Sequence, residues 1–391
     1  MEQHAAMGVV RELMAEFAQL TKLSDGQTPR RYLWTDAFAV CNFLELYRQT
    51  AEEKYKQLAL RLVDQVHHVL GRHRADDPRT GWISGLDEPE GERHPIRGGL
   101  RIGKPLNERR PDEPFDEQLE WDRDGQYYHY LTKWMHALSQ VSRVTGEATY
   151  QRWAIELAKT VHTSFTYRPA VGGRKRMVWK MSIDLSYPLV PSMGQHDPLD
   201  GLITYLQLQA TTPLEAGQPS WPDLQAEITD MAGICQGQNW ATADPLGLGG
   251  LLADAYKVAQ LIAHHQLKQF DLLETLLEAA LVGLPAYVSQ SDWPQPVDFR
   301  LAFRELGLSI GLRAVERVQG LMGESPGLFE EKAQLHSRLV ALQQYTPLAE
   351  KIEAFWLERS HRKAESWLAH REINMVMLAT SLAPDGYLQQ L

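Results

Sequence analysis

Two distant stretches of the chain carry one pattern, T-x-E-x-x-Y: Thr50-Ala51-Glu52-Glu53-Lys54-Tyr55 and Thr145-Gly146-Glu147-Ala148-Thr149-Tyr150. The same apolar series follows each tyrosine, Leu58, Ala59, Leu62, Val63 and Val66 in the first copy and Trp153, Ala154, Leu157, Ala158 and Val161 in the second. Counted from each tyrosine, the spacing i, i+3, i+4, i+7, i+8, i+11 draws one stripe along an α-helix and leaves its other face polar. Ahead of each copy lies a run that is apolar nearly all round, such as Phe38-Ala39-Val40-Cys41-Asn42-Phe43-Leu44-Glu45-Leu46-Tyr47, and such a helix must be buried on most sides. The unit is therefore a buried inner helix followed by a half-exposed outer one. A single pair cannot cover its own apolar face, so pairs must stack on one another.

The rest of the chain parses in the same order. Inner runs begin near Asp36, Asp124, Asp197, Asp244, Asp298 and Ser366, and outer runs near Tyr55, Tyr150, Pro222, Lys268 and Gly327. The segment Ala5–Leu20 supplies the sixth outer partner, packing beside the last inner helix. Asp197-Pro198 and Asp244-Pro245 each set an acid before a proline, an N-cap followed by a residue suited to the first helical position. Pro326 and Pro347 break the fifth outer segment in two. The expected fold is all-α, one (α/α)6 toroid domain over residues 1–391, with long rim loops that contain short strands.

Composition narrows the function classes. With 40 Lys plus Arg against 50 Asp plus Glu, the chain of 391 residues carries a formal charge of −10, which disfavours binding to a nucleic-acid backbone. Its 43% hydrophobic and 23% charged residues are those of a globular domain rather than a disordered chain. Cys41 and Cys235 cannot build a disulfide framework or a cysteine-rich zinc site and read as buried thiols. The start MEQHAAMGVVRELMAEF has no basic segment followed by an apolar one, and no run reaches the ~18 apolar residues of a membrane span. A cytoplasmic protein is the expectation, with no membrane partner. His67-His68 and His264-His265 lack ligands at metal spacing, and Gly98-Gly99-Leu100-Arg101-Ile102-Gly103-Lys104-Pro105 has proline where a phosphate loop needs Ser or Thr. Asp76-Asp77 lacks the further acids of a diphosphate–metal site. No metal and no cofactor are expected.

In a ring of parallel inner helices all the N-termini open on one end, and each start here carries tryptophan, carboxylate or both. These are Trp34-Thr35-Asp36, Trp121-Asp122-Arg123-Asp124, Gln195-His196-Asp197, Trp240 with Asp244, Asp292-Trp293 with Asp298, and Trp367 with His370-Arg371-Glu372. Aromatic rings stack on sugar faces, and carboxylates bind hydroxyls and supply general acid and base. In this layout the chain resembles the six-hairpin glycosidase superfamily. The resemblance implies a carbohydrate-active hydrolase working on a sugar or oligosaccharide with acid and base groups at this face. The catalytic candidates are Asp122 and Asp124, with Asp36, Asp298 or Glu372 as partner. The binding candidates are Trp34, Trp121, Tyr127, Trp179, Gln195, His196, Trp293, Arg300, Trp367, His370 and Arg371. A capping role outweighs catalysis for Asp197 and Asp244, because a capping carboxylate is committed to backbone N–H groups. Any single tryptophan is as well placed to plug the core.

Two insertions sit on the same side. The first, from about Arg72 to Leu119, holds Arg93, His94, Arg97, Arg101, Lys104, Arg109 and Arg110; the second, from about Tyr167 to His196, holds Arg168, Arg174, Lys175, Arg176 and Lys180. Within the second, Met177-Val178-Trp179-Lys180-Met181-Ser182-Ile183 alternates like a strand. Their positive charge suits an acidic sugar, or is neutralised locally by Asp87, Glu88, Glu90 and Glu92. A second enzyme class fits the same layout: the chain is also similar to the N-acylglucosamine 2-epimerase group, which implies histidines moving protons on a ring-opened sugar, here His196 and His370. A noncatalytic sugar-binding toroid is the third reading. Oligomeric state is not legible.

Overall fold

A computed structural model describes residues 2–24, 29–170, 172–212, 221–265, 267–290, 295–329 and 332–390. The protein is all-α, with a few two- and three-residue strands confined to the insertions and their junctions. The chain opens with α1 (Glu2–Leu20) and then divides into two compact units, residues 18–237 and residues 238–391 together with 1–17.

The first unit holds α2 (Leu33–Thr50), α3 (Glu53–Leu70), α4 (Tyr128–Thr145), α5 (Ala148–Phe165), α6 (Asp197–Ala210) and α7 (Gln225–Cys235). Every residue of α2 from Leu33 to Leu46 is buried, as its all-round apolar sequence requires. Helix α3 buries Tyr55, Ala59, Leu62, Val63 and Val66 along one stripe and leaves the opposite face in water. The inner helices α2, α4 and α6 pack side by side, each carrying its outer partner α3, α5 or α7. The repeated T-x-E-x-x-Y is the corner between them. Thr50 Oγ1 donates to Leu46 O (2.7 Å) and accepts from the Glu52 N–H (3.2 Å); Thr145 does the same with Val141 O (2.8 Å) and the Glu147 N–H (3.2 Å). Between them Ala51 and Gly146 take the left-handed φ values, 55° and 75°, that end one helix and start the next.

The second unit holds α8 (Pro245–His265), α9 (Phe270–Gln290), α10 (Ala302–Glu324), α11 (Ala333–Gln343), α12 (Pro347–Leu357) and α13 (Arg371–Leu382). Inner helix α10 lies between α8 and α13, and the outer segment after it is split into α11 and α12, with Pro347 opening the second piece. The N-terminal helix reaches the last inner helix as expected, through an ion pair between Arg371 and Glu16. Six inner helices alternate with outer partners in the order expected of an (α/α)6 chain. Helix α9 corrects the reading that no segment is apolar enough to span a membrane: by length and composition Phe270–Ser289 qualifies, with a mean hydropathy of 1.4. It is an outer helix whose Leu273, Leu276, Leu277, Ala280 and Leu284 are buried, and it packs on α8 and α11.

The strand expected in the second insertion is present in pieces. β1 (Gln126–Tyr127) pairs antiparallel with β4 (Lys180–Met181), which pairs with β5 (Pro188–Val190); β2 (Thr166–Tyr167) pairs with β3 (Arg176–Met177). The β1–β4 pair ties the second insertion to the start of α4.

Candidate active site in the first unit

That pairing places the aromatic groups. Register sets Tyr127 opposite Lys180, and the Tyr128 N–H donates to Trp179 O at 3.1 Å, so the Trp179 ring lies beside Tyr127 where the chain turns into α4. The rings of Tyr127, His129 and Trp179 are within 19° of parallel, with centroids 5.6, 4.9 and 6.4 Å apart. Those three distances close a triangle, so the rings make a patch rather than a column. Tyr127 is 2% exposed and backs the patch; half-buried Trp179 and His129 present its surface. Tyr130 stands edge-on to Tyr127 and His129, its hydroxyl 2.8 Å from that of Tyr32, and Trp34 packs behind it on Phe38. Trp121, 55% exposed, extends the patch, its ring 5.9 Å from that of Trp179.

The first two turns of α4 and the first turn of α6 bring four ionisable groups together, His129, Lys133, Asp197 and Asp200. Asp200 is satisfied by the Lys133 ammonium (2.6 Å) and by the Thr132 hydroxyl. Asp197 is not. It is buried, one carboxylate oxygen has no hydrogen-bond partner, and the other lies 3.6 Å from His129 Nδ1. Gly194 makes room for it, since a Cβ there would stand 2.6 Å from that carboxylate. Burial, reinforced by the neighbouring Asp200 charge and only partly offset by Lys133, pushes Asp197 up to about 8. Burial and then the Lys133 ammonium, against the pull of Asp200, push His129 down to about 4. Near neutral pH the aspartate therefore carries a proton and the histidine does not. A carboxylic acid and a neutral imidazole in contact, with their affinities for protons reversed from the ordinary order, are an acid and a base ready to act. Solvent reaches one edge of the imidazole, leaving 35% of its side chain exposed.

The binding candidates Trp34, Trp121, Tyr127 and Trp179 meet in this patch, whereas the catalytic candidates lie away from the Asp197–His129 pair. Asp124 is fully buried and accepts from Arg101 (2.6 Å), Arg74 (3.3 Å) and the N–H groups of Gly103 (3.0 Å) and Gly125 (3.1 Å), so both of its oxygens are already taken up by donors of the protein. Asp122 is exposed at the end of the short helix Glu117–Asp122. Asp36 accepts from the Tyr32 N–H at 3.0 Å and faces Arg31 at 3.5 Å, a capping arrangement. Asp244 caps as expected, accepting from the Gly247 N–H at 2.9 Å, whereas Asp197 does not cap: His196 holds that position and Asp197 is the first helical residue. Gln195 is exposed and His196 half-buried beside it. Tyr127 supports the patch from below rather than offering a face.

In the second unit, Arg300 is clamped by both oxygens of Glu305 and lies 3.5 Å over the Phe355 ring. Trp367, 2% exposed, packs on Trp356 and is a core plug, not a platform. Arg371 is engaged by Glu16, Glu372 is half-buried in the first turn of α13, His370 precedes that helix with its ring edge-on to Phe303, and Asp298 is exposed. Trp293 lies outside the described residues. Cys41 is buried as expected, but Cys235 is only half-buried, its thiol pushed up to about 12 by burial. Among the described residues no group of three or more His, Cys, Asp or Glu side chains is arranged to hold a metal ion.

Sequence reasoning missed His129, Lys133 and Asp200. The available signal was spacing: His129 and Lys133 are i, i+4 and Asp197 and Asp200 are i, i+3, each pair on one helical face next to the aromatic run Tyr127-Tyr128-His129-Tyr130.

No protein-family model and no curated protein matches the chain. Several solved structures resemble it, among them two epimerases. One is a sugar epimerase from a ruminal bacterium, with a TM-score of 0.44 and 9% identity over 83% of this chain and 86% of that one. The other is the cellobiose 2-epimerase of Spirochaeta thermophila DSM 6192, with a TM-score of 0.46 and 12% identity over 95% of this chain and 97% of that one.

Proposed function

We propose that the protein is a sugar epimerase or aldose–ketose isomerase, with His129 as general base and Asp197 as general acid. The observation that carries this reading is the approach of the buried, partly unpartnered Asp197 carboxylate to His129 Nδ1, at 3.6 Å, beside an aromatic patch. An open-chain sugar lying on Trp179 presents its carbonyl carbon and the adjacent C–H to the pair. His129 takes the proton from that carbon while Asp197 gives its proton to the carbonyl oxygen, and an enediol forms. In the return step the His129 proton goes to the neighbouring carbon and the carboxylate recovers a hydroxyl proton, which yields the isomerised sugar. If the enediol instead turns its opposite face to His129, the imidazolium returns the proton to the original carbon while the Asp197 carboxylate recovers its own from the oxygen, and the epimer results.

Hydrolysis through Asp122 or Asp124 is ranked below this reading: the Asp124 carboxylate is taken up by two guanidinium groups, and Asp122 is exposed at the end of a short helix. The test is incubation with free sugars and oligosaccharides in deuterated water, followed by proton NMR. Loss of the signal at carbon 2, with a ketose or an epimer appearing, is the expected result. Release of new reducing ends without exchange would replace this reading by hydrolysis.

A further inference from the structure

Much of the positive charge of the two insertions is met by carboxylates within them or on the adjoining segments. Arg72 meets Glu88, Arg74 meets Asp76 and Asp124, and Arg79 meets Asp77, Glu108 and Asp184. Arg101 meets Asp124, Arg109 and Lys180 meet Glu120, and Lys175 meets Asp230. Arg97, Arg168 and Arg176 lie exposed on the surface. Lys104 differs from both groups. It is half-buried, its ammonium stands 5.5 Å from the centre of the Tyr32 ring, and no described carboxylate lies within ion-pair distance. Burial lowers its proton affinity against the more distant pull of Asp122 and Asp124.

The backbone that carries Lys104 is bolted in place. Gly103, with φ of 93°, turns so that its N–H meets Asp124, and a Cβ there would stand 2.2 Å from Arg31 O. Arg74 donates to Lys104 O (2.6 Å) and Pro105 O (2.8 Å), while the Leu33 N–H meets Ile102 O and the Asp124 N–H meets Leu106 O. The carboxylate of Asp124 thus fixes the stretch of chain that holds this half-buried ammonium over the Tyr32 ring, beside Tyr130. An ammonium with three donors, partly withdrawn from water and paired with no described carboxylate, is stabilised by an anion that arrives with the ligand.

We propose that Lys104 anchors an anionic group, a carboxylate or a phosphate, on the sugar that lies against this cluster. This rests on the reading of the first unit as a sugar site, and adds to it that the substrate is an acidic sugar. Calorimetric titration with glucuronate, glucose 6-phosphate and glucose tests it without requiring turnover. At least one of the two anionic sugars should bind roughly tenfold or more tightly than glucose, the strength of a hydrogen bond to a charged group. The arm that binds identifies the anion. In K104M that preference should vanish while glucose binding and melting temperature stay as they were, and K104R should keep most of it. Equal binding of neutral and anionic sugars, an unchanged preference in K104M, or no saturable binding of either anionic sugar overturns the proposal. Failure of the acid–base reading shows separately, as anionic sugars that bind through Lys104 with no exchange of solvent deuterium.

Discussion

Two aspartates of the first unit, Asp124 and Asp197, are both withdrawn from water, and their surroundings give them opposite properties. Asp124 has two guanidinium groups and a backbone N–H within hydrogen-bond range. Asp197 has a bare oxygen, a like charge one helical turn away and a histidine at 3.6 Å. Burial disfavours a charged carboxylate, and the molecule has answered in one place with cations and in the other by leaving the proton on. The first arrangement holds backbone in position. The second stores a proton where it can be delivered.

Substitution with asparagine, which keeps size and removes ionisation, should separate the two. Asp197→Asn and His129→Gln should each lower turnover by about 10²–10⁴-fold, the usual worth of one general acid or base, with thermal stability at neutral pH held or raised. Asp124→Asn should instead cost stability, about 3–5 kcal/mol, because buried Arg101 is left without its charge partner. Urea denaturation and steady-state rates on the same three proteins would check this. If Asp197→Asn unfolds the protein and Asp124→Asn leaves it stable but inactive, the roles are the reverse of those argued.

The same contrast has a pH signature. The folded-state value of Asp197, about 8, lies above its ordinary value near 4, so between those limits the native state holds a proton that the unfolded chain has lost. Stability therefore falls as pH rises through that interval, and Asp197→Asn should flatten that part of the slope. Activity should hold on a plateau, lost below about 4 as His129 gains a proton and above about 8 as Asp197 loses one. A rate profile centred instead on an ordinary carboxylate value would remove Asp197 from the acid's role.

Much of the fold was legible because it is written in period and punctuation. The stripe from Tyr55 to Val66, the all-round apolar run from Phe38 to Tyr47 and the repeated threonine corner are local signals, and local structure follows them. The insertion strand was legible from alternation in Met177–Ile183, although only Lys180 and Met181 of its central part pair in the ladder with β1. The site was less legible because it depends on which charges meet. The pair Asp122 and Asp124 looks like an acid and a base in sequence, and nothing local reveals that Arg74 and Arg101 come from the first insertion to neutralise Asp124. The Asp197-Pro198 step looks like a cap, yet His196 takes that position and frees the carboxylate. Trp34, Trp121 and Trp367 are equivalent in sequence and span exposures of 7%, 55% and 2% once neighbours are counted.

A third kind of carboxylate contact gives the smallest expected effect. On the outer side of the same unit, His68 of α3 meets Glu92 of the short helix Glu88–Arg93 at 2.9 Å, clasping the first insertion to the helix beneath it. Burial pulls the histidine down, but the Asp64 carbonyl and then Glu92 outweigh it and leave its proton affinity raised. For a histidine shifted in that direction, the added stability is fully present below its unfolded value near 6.5 and is lost as pH rises through its folded value. Both side chains are substantially exposed, at 37% and 49%, so water and salt screen the pair. A double-mutant cycle of His68→Gln and Glu92→Gln should give a coupling of no more than about 1 kcal/mol at pH 5.5 and none at pH 9, with turnover unchanged throughout. A coupling as large as the Asp124 effect, or one that persists in alkali, would mean that exposure does not separate these carboxylates as argued.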